Sequence, residues 1–124
     1  MSTVLITMPA VASHTFPMLS VAEALVQAGH RVLVHTGERD YNKVQATGAE
    51  LVPMSQECNI LFRVENSSVR IPLWIPKFAR GFWRFRNEML AMVPDMVAEL
   101  EIIVRQEQVD CIVGDYLGFG ASYA

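Results

Sequence analysis

Two strand-length apolar runs, Thr3–Met8 and Arg31–Thr36, frame a stretch in which apolar residues recur every three or four positions. The runs are continuous rather than alternating, the pattern of strands covered on both faces. Between them, Met18, Val21, Ala22, Leu25 and Val26 share one side of a helix. Ser13 or Thr15 is expected to cap that helix, Pro17 to fall in its first turn, and Gly29 to stop it in a left-handed conformation. A short helix from about Arg39 to Thr47 then ends at Gly48, and Glu50–Met54 reads as a brief third strand. Strands joined by helices of this length pair in parallel through right-handed crossovers.

The alternation then breaks. Residues Ser55 to Pro76 show no sustained period, and a connection of that length reads as a functional loop. From Lys77 to Gln108 the pattern is helical again, with Val97, Leu100, Ile103 and Val104 on an apolar face. Pro94 lies inside it, predicting a kink or two helices joined there. A fourth strand is expected over Val109–Asp115, and a further helix from Gly118 to Ala124. That last helix is short and no fifth strand follows, so the sequence reads as an incomplete sheet that a longer protein or another chain completes. The expected class is α/β, a Rossmann-like parallel sheet with helices on both faces, over a single unit of residues 1–124.

Composition narrows the function. Hydrophobic residues make up 52% of the 124 and charged ones 19%, which supplies a core and excludes compositional disorder. A formal charge of −3 argues against a general nucleic-acid binder. Cys58 and Cys111 are far apart, the second in a strand expected to be buried. They form neither a disulfide framework nor a metal or redox motif, which fits reduced thiols and a cytoplasmic location. The apolar start has no basic region ahead of it and is soon broken by Pro9 and His14, so it reads as a strand rather than a secretory signal.

The turn after the first strand, Met8-Pro9-Ala10-Val11-Ala12-Ser13-His14, lacks the glycines a pyrophosphate requires, and His35-Thr36-Gly37 replaces the acidic residue a dinucleotide fold places after its second strand. No cofactor is expected. His14 and Asp115, in contrast, each follow the carboxyl end of a predicted parallel strand, where open α/β sheets bind ligands. If the strand order is 3-2-1-4, the two reach one crevice. The imidazole can then take a proton from a hydroxyl while the carboxylate supports the imidazolium. The plainer alternative is that both serve as helix caps. His30 reads as a surface turn, and His35 as structural. The stretch Ile71 to Arg86 holds both tryptophans and several cations. It admits three readings: a core-packing helix, the wall of an apolar ligand pocket, or an interfacial helix on anionic membrane.

Several stretches, in order, resemble the amino-terminal part of a GT-B glycosyltransferase of the UDP-sugar-using group, most like bacterial enzymes that glycosylate macrolides and enediynes. Ser13-His14-Thr15-Phe16-Pro17-Met18 resembles the family's histidine turn, with serine in place of the usual glycine. Val21-Ala22-Glu23-Ala24-Leu25 with Ala28-Gly29-His30-Arg31-Val32 resembles the first helix and its exit, and Gly48-Ala49-Glu50-Leu51-Val52-Pro53 the approach to the third strand. Val109-Asp110-Cys111-Ile112-Val113-Gly114-Asp115 resembles the strand that ends in the family's aspartate.

The resemblance implies that His14 deprotonates an acceptor hydroxyl, that Asp115 partners it, and that transfer inverts the anomeric carbon. It implies an acceptor site walled by Ser55 to Arg86, in which Phe62, Trp74, Phe78 and Trp83 are the candidate contacts for a hydrophobic small molecule. The nucleotide sugar, UDP- or TDP-linked, would be held mainly by a carboxyl-terminal domain that this sequence does not contain. A fragment of this kind is expected to be inactive alone and to self-associate or join a completing chain. A different class of reading is a non-catalytic binding or assembly module that works with a separate donor-binding chain.

Overall fold

The computed structural model describes residues 1–115. The helix expected from Gly118 lies outside the described residues. Four parallel strands, β1 (Thr3–Thr7), β2 (Arg31–Thr36), β3 (Glu50–Pro53) and β4 (Cys111–Gly114), form one sheet in the order β3-β2-β1-β4. Helices lie on both faces, as the continuous apolar strands require.

Side-chain parity decides which face each residue serves. Val4, Ile6, Val32 and Val34 point to α1 (Ala12–Gln27) and α2 (Tyr41–Ala46), packing with Leu19, Ala22 and Val44. Leu5 and Leu33 point the other way, toward α3 (Ile60–Glu65) and α4 (Arg80–Glu107), and pack with Ile60, Met92, Met96 and Leu100. Thr7 and His35 share the parity of Leu5 and Leu33, so both face α4.

At the amino-terminal ends of the strands, Arg31 forks between Glu50 and Glu107 at 2.9 and 2.8 Å, which raises its already high pKa. These partners are well exposed, so the fork orients β3 and the end of α4 more than it stabilises them.

Several expectations change. Neither Ser13 nor Thr15 caps α1, whose N-cap is Val11 without a side-chain bond. The helix begins earlier than expected, and the Thr15 hydroxyl donates back to the Val11 carbonyl at 3.1 Å. Pro17 consequently lies past the first turn. It is tolerated because the carbonyl it leaves unbonded belongs to Ser13, which faces solvent. Val21, expected on the apolar side, is exposed, and the buried stripe is Thr15, Leu19 and Ala22.

Residues 55–76 are not wholly irregular. A 3-10 turn (Gln56–Cys58) and α3 lie within the stretch, with Asn59 capping α3 by accepting from the Leu61 and Phe62 amides. Another 3-10 turn, Lys77–Ala79, leads into α4. Pro94 does not divide α4, which runs through it as one helix of 28 residues. The carbonyl freed by the ring belongs to Leu90, on the solvent side, where water can satisfy it. Cys111 is exposed rather than buried, because β4 has no neighbour beyond it among the described residues. No described helix is long and apolar enough to cross a membrane.

Candidate active site

The carboxyl ends of β1, β2 and β4 lie side by side, with Thr7 level with both His35 and Gly114. One residue past β4, Asp115 has the opposite parity to Gly114 and therefore faces α1. Its amide donates to the Thr7 carbonyl at 3.2 Å, which continues the ladder by one step and fixes the direction of its side chain. His14 stands in the first turn of α1, three residues past the N-cap. These two placements bring together residues 101 apart in sequence: His14 Nδ1 lies 2.8 Å from Asp115 Oδ2. Their side chains are 15% and 9% exposed, which shields the pair from bulk water while leaving the imidazole reachable. With Nδ1 donating to the carboxylate, the basic nitrogen of the ring is Nε2.

A second histidine–carboxylate pair lies on the other face of the sheet. His35 is fully buried; its Nδ1 is 2.9 Å from the Thr7 hydroxyl and its Nε2 is 3.3 Å from Glu99 Oε2. Glu99 also accepts from the Ser55 amide at 3.0 Å and the Ser55 hydroxyl at 3.2 Å. Burial pushes the Glu99 carboxyl up, but the bonds from His35 and Cys58, the His35 charge and the Ser55 amide outweigh it and bring the pKa down to about 2. The neighbouring Cys58 thiol is pushed up to about 12, by burial first and by Glu99 second. His35 is thus a satisfied structural histidine. Thr7 joins the two pairs, its side chain serving His35 and its carbonyl serving Asp115.

The loops after β1, β2 and β3 form a cleft of about 590 Å³, whose lining does not include His14 or Asp115 and comes nearest to them in sequence at Ala12. Ala10 and Ala12 form the side next to His14, and Gly37, Arg39 and Lys43 the second side. Met54, Gln56, Asn59, Leu61 and Phe62 complete the third. The loops pass close together at Gly37: a Cβ there would sit 3.2 Å from the Ala10 Cβ and 3.8 Å from the Asn59 amide. This close approach occupies the place where a dinucleotide site would carry its acidic residue. Lys43 lies 4.9 Å above the Phe16 ring and 3.4 Å from Asp40, so the charged side of the cleft is tethered. Among the described residues, no three His, Cys, Asp or Glu side chains gather closely enough to hold a metal ion.

The four aromatics singled out in the sequence are not brought together. Phe62 lines the cleft. Trp74 and Phe78 stand in solvent, 79% and 91% exposed, and Trp83 is half-buried on α4; none of the three lines the cleft. Glu99, Ser55 and Asn59 are positions the sequence reading passed over. One signal was available for Glu99: it is a carboxylate within the stripe Met92, Met96, Leu100 and Ile103, where an unpartnered charge would be costly.

No protein-family model matches the chain, and no curated protein matches it in sequence. Solved structures do resemble it. The calicheamicin glycosyltransferase CalG4 is 20% identical, with a TM-score of 0.73 over 98% of this chain and 28% of that one. The glycotransferase of kitacinnamycin is 21% identical, with a TM-score of 0.69 over 98% of this chain and 26% of that one. The glycosyltransferase VinC, in complex with dTDP, is 22% identical, with a TM-score of 0.54 over 98% and 32%. At these identities the likeness establishes the fold, which is that of the amino-terminal part of GT-B glycosyltransferases. The chain spans about a quarter to a third of the length of these structures.

Proposed function

We propose that this chain is the acceptor-binding part of an inverting glycosyltransferase. It would move a sugar from a UDP- or TDP-linked donor to a hydroxyl of a hydrophobic small molecule. The observation that carries the reading is the His14–Asp115 contact of 2.8 Å at the crevice end of adjacent strands. A cleft large enough for such an acceptor lies at the same end of the sheet, lined from Ala12 onward by the loops after β1, β2 and β3. VinC and a further similar structure, the Streptomyces glycosyltransferase SsfS6 (18% identical, TM-score 0.63), hold thymidine diphosphate, which supports a nucleotide-sugar donor.

The chemistry follows from the geometry of the ring. An acceptor hydroxyl placed at His14 Nε2 gives up its proton as its oxygen attacks the anomeric carbon. The bond from that carbon to the nucleoside diphosphate breaks, and the diphosphate leaves with the electron pair. Attack from the side opposite the leaving group inverts the centre. The imidazolium formed is held by Asp115 through Nδ1, and the low exposure of both groups strengthens that support. Phe62 supplies apolar contact to the acceptor, and Asn59 and Gln56 supply hydrogen bonds. The donor is assigned to a domain additional to residues 1–124, on the same or another polypeptide, because positioning the anomeric carbon needs a second surface.

The test is His14→Ala in the protein that contains this chain together with its donor domain. Turnover with a nucleotide sugar should fall by about two to four orders of magnitude, the usual worth of a positioned general base. The acceptor KM should stay within a few-fold. A variant that raises only the acceptor KM would make His14 a binding residue and overturn the mechanism.

A further inference from the structure

Half of the ten lysines and arginines of this acidic chain lie between Asn66 and Asn87, a stretch without a single carboxylate. They are Arg70, Lys77, Arg80, Arg84 and Arg86, and among the described residues none pairs with an Asp or Glu; the arginine ion pairs are made by Arg31 and Arg63 instead. Interleaved with them are the most exposed large apolar side chains after Met1: Leu73 at 92%, Phe78 at 91%, Trp74 at 79% and Phe82 at 73%. Phe78 and Phe82 are one helical turn apart and share a face. The patch is held in place from beneath, since Ile75 is buried and its carbonyl accepts from Arg80 Nε at 3.2 Å.

Its position is as informative as its composition. Glu99 is level with the carboxyl ends of the strands, because it bonds His35 and Ser55. Arg80 lies nineteen residues earlier on the same helix, about 28 Å farther along. The aromatic and basic patch therefore caps the end of an overhang that projects well past the sheet.

We infer that the surface formed by Leu73, Trp74, Phe78 and Phe82, ringed by Arg70, Lys77 and Arg86, docks on an anionic lipid surface. Aromatic and leucine tips among cations are the composition of interfacial anchors, which add apolar insertion to electrostatic attraction. Trp74 suits the headgroup level, where a ring with one polar edge is stable. The patch is too short to span a bilayer and too strongly positive for a neutral apolar groove. It also does not line the cleft, so the inference stands apart from the proposed chemistry.

Vesicle sedimentation of the full chain tests it. Vesicles mixing phosphatidylglycerol with phosphatidylcholine should carry the protein down, and pure phosphatidylcholine should not. In a Trp83→Phe background, Trp74 emission should shift to the blue on the anionic vesicles. Each cation near such a surface is worth about a fivefold change in partitioning, so Lys77→Ala with Arg86→Ala should weaken binding about thirtyfold. Arg105→Ala, at the other end of α4, should change nothing. Trp74→Ala with Phe78→Ala should abolish the sedimentation, with an unaltered circular dichroism spectrum confirming the fold.

His14→Ala should bind vesicles like the parent, which separates this inference from the catalytic reading. Equal binding to neutral vesicles, or no loss in the aromatic double variant, would overturn it. So would lipid-free self-association that the aromatic variant abolishes, which would give the face to a second copy of this chain.

Discussion

Replacing Glu99 by glutamine removes one charge from the centre of the fold and nearly nothing else. The amide keeps the length and can still accept from the Ser55 amide, while its other end faces His35 Nε2 without a negative charge. In the folded chain the Glu99 carboxyl is held down at about 2, against 4.5 in the unfolded chain. Because the folded value is depressed, the stabilisation is fully present above about pH 4.5 and is lost as pH falls through about 2. The full shift corresponds to about 3 kcal/mol at 1.36 kcal/mol per unit. The side chain is 22% exposed, so solvent screening reduces the expected value to about 2 kcal/mol. Urea unfolding followed by circular dichroism at pH 7 should therefore show Glu99→Gln less stable by about 2 kcal/mol, with an unchanged m-value. At pH 3 less than half of that difference should remain. A difference of the same size at both pH values would show that shape, rather than the charge on Glu99, holds α4 to the sheet.

Asp115→Asn in the active protein should lower turnover less than His14→Ala, since the amide keeps a hydrogen-bond partner for Nδ1 but loses the charge that supports the imidazolium; a larger loss than His14→Ala would refute the division of roles. Gly48→Ala should cost more than Gly29→Ala, because both have positive φ but a Cβ at Gly48 would sit 2.9 Å from Val26 Cγ1 while the space at Gly29 is open. About 1 kcal/mol is expected for the conformation alone and about 2 or more where the clash adds to it, read from thermal unfolding. Of the two thiols, exposed Cys111 should react quickly with an aromatic disulfide reagent at pH 8. Cys58, buried and pushed up to about 12, should react only on unfolding; two fast thiols would contradict its placement.

The strands were legible because their signal is local: Arg31–Thr36 is six continuous residues whose burial on both faces needs no knowledge of neighbours. Gly29 and Gly48 were legible for the same reason, each ending a helix at a positive φ that glycine adopts readily. What misled were features settled by solvent and tertiary position. Pro17 read as a first-turn residue and Pro94 as a kink or a junction of two helices, yet both lie within continuous helices with their rings on the outer side, where the freed carbonyl meets water. Cys111 read as buried from its apolar neighbours, but edge position overrides composition. In the candidate site, His14 and Asp115 were visible as strand-end residues once the order 3-2-1-4 was entertained. The Glu99 network was not, since Glu99 meets His35 from β2 and Ser55 from the turn after β3, and His35 in turn meets Thr7 from β1. The helical turns within residues 55–65 were hidden by their length: a six-residue helix carries too little period to read.

The cleft has a division of labour that bears on how such a protein diversifies. One side is made of the turn after β1 and the start of α1, at Ala10 and Ala12, whose course is set by where β1 ends in the sheet. The third side comes from a single run of chain between Met54 and Glu65, in which Met54, Gln56, Asn59, Leu61, Phe62 and Glu65 all face the opening. That run is fastened from behind by Arg63, which reaches Glu88 and Asp95 on α4 and the Glu57 carbonyl, all near 3 Å. A graft of twelve consecutive residues that keeps Ser55, Cys58 and Arg63 would thus replace the shape and polarity presented to a ligand while leaving the histidine and aspartate untouched. Selection can work on one short cassette, and recombination within a single stretch of gene suffices to change what the cleft accepts.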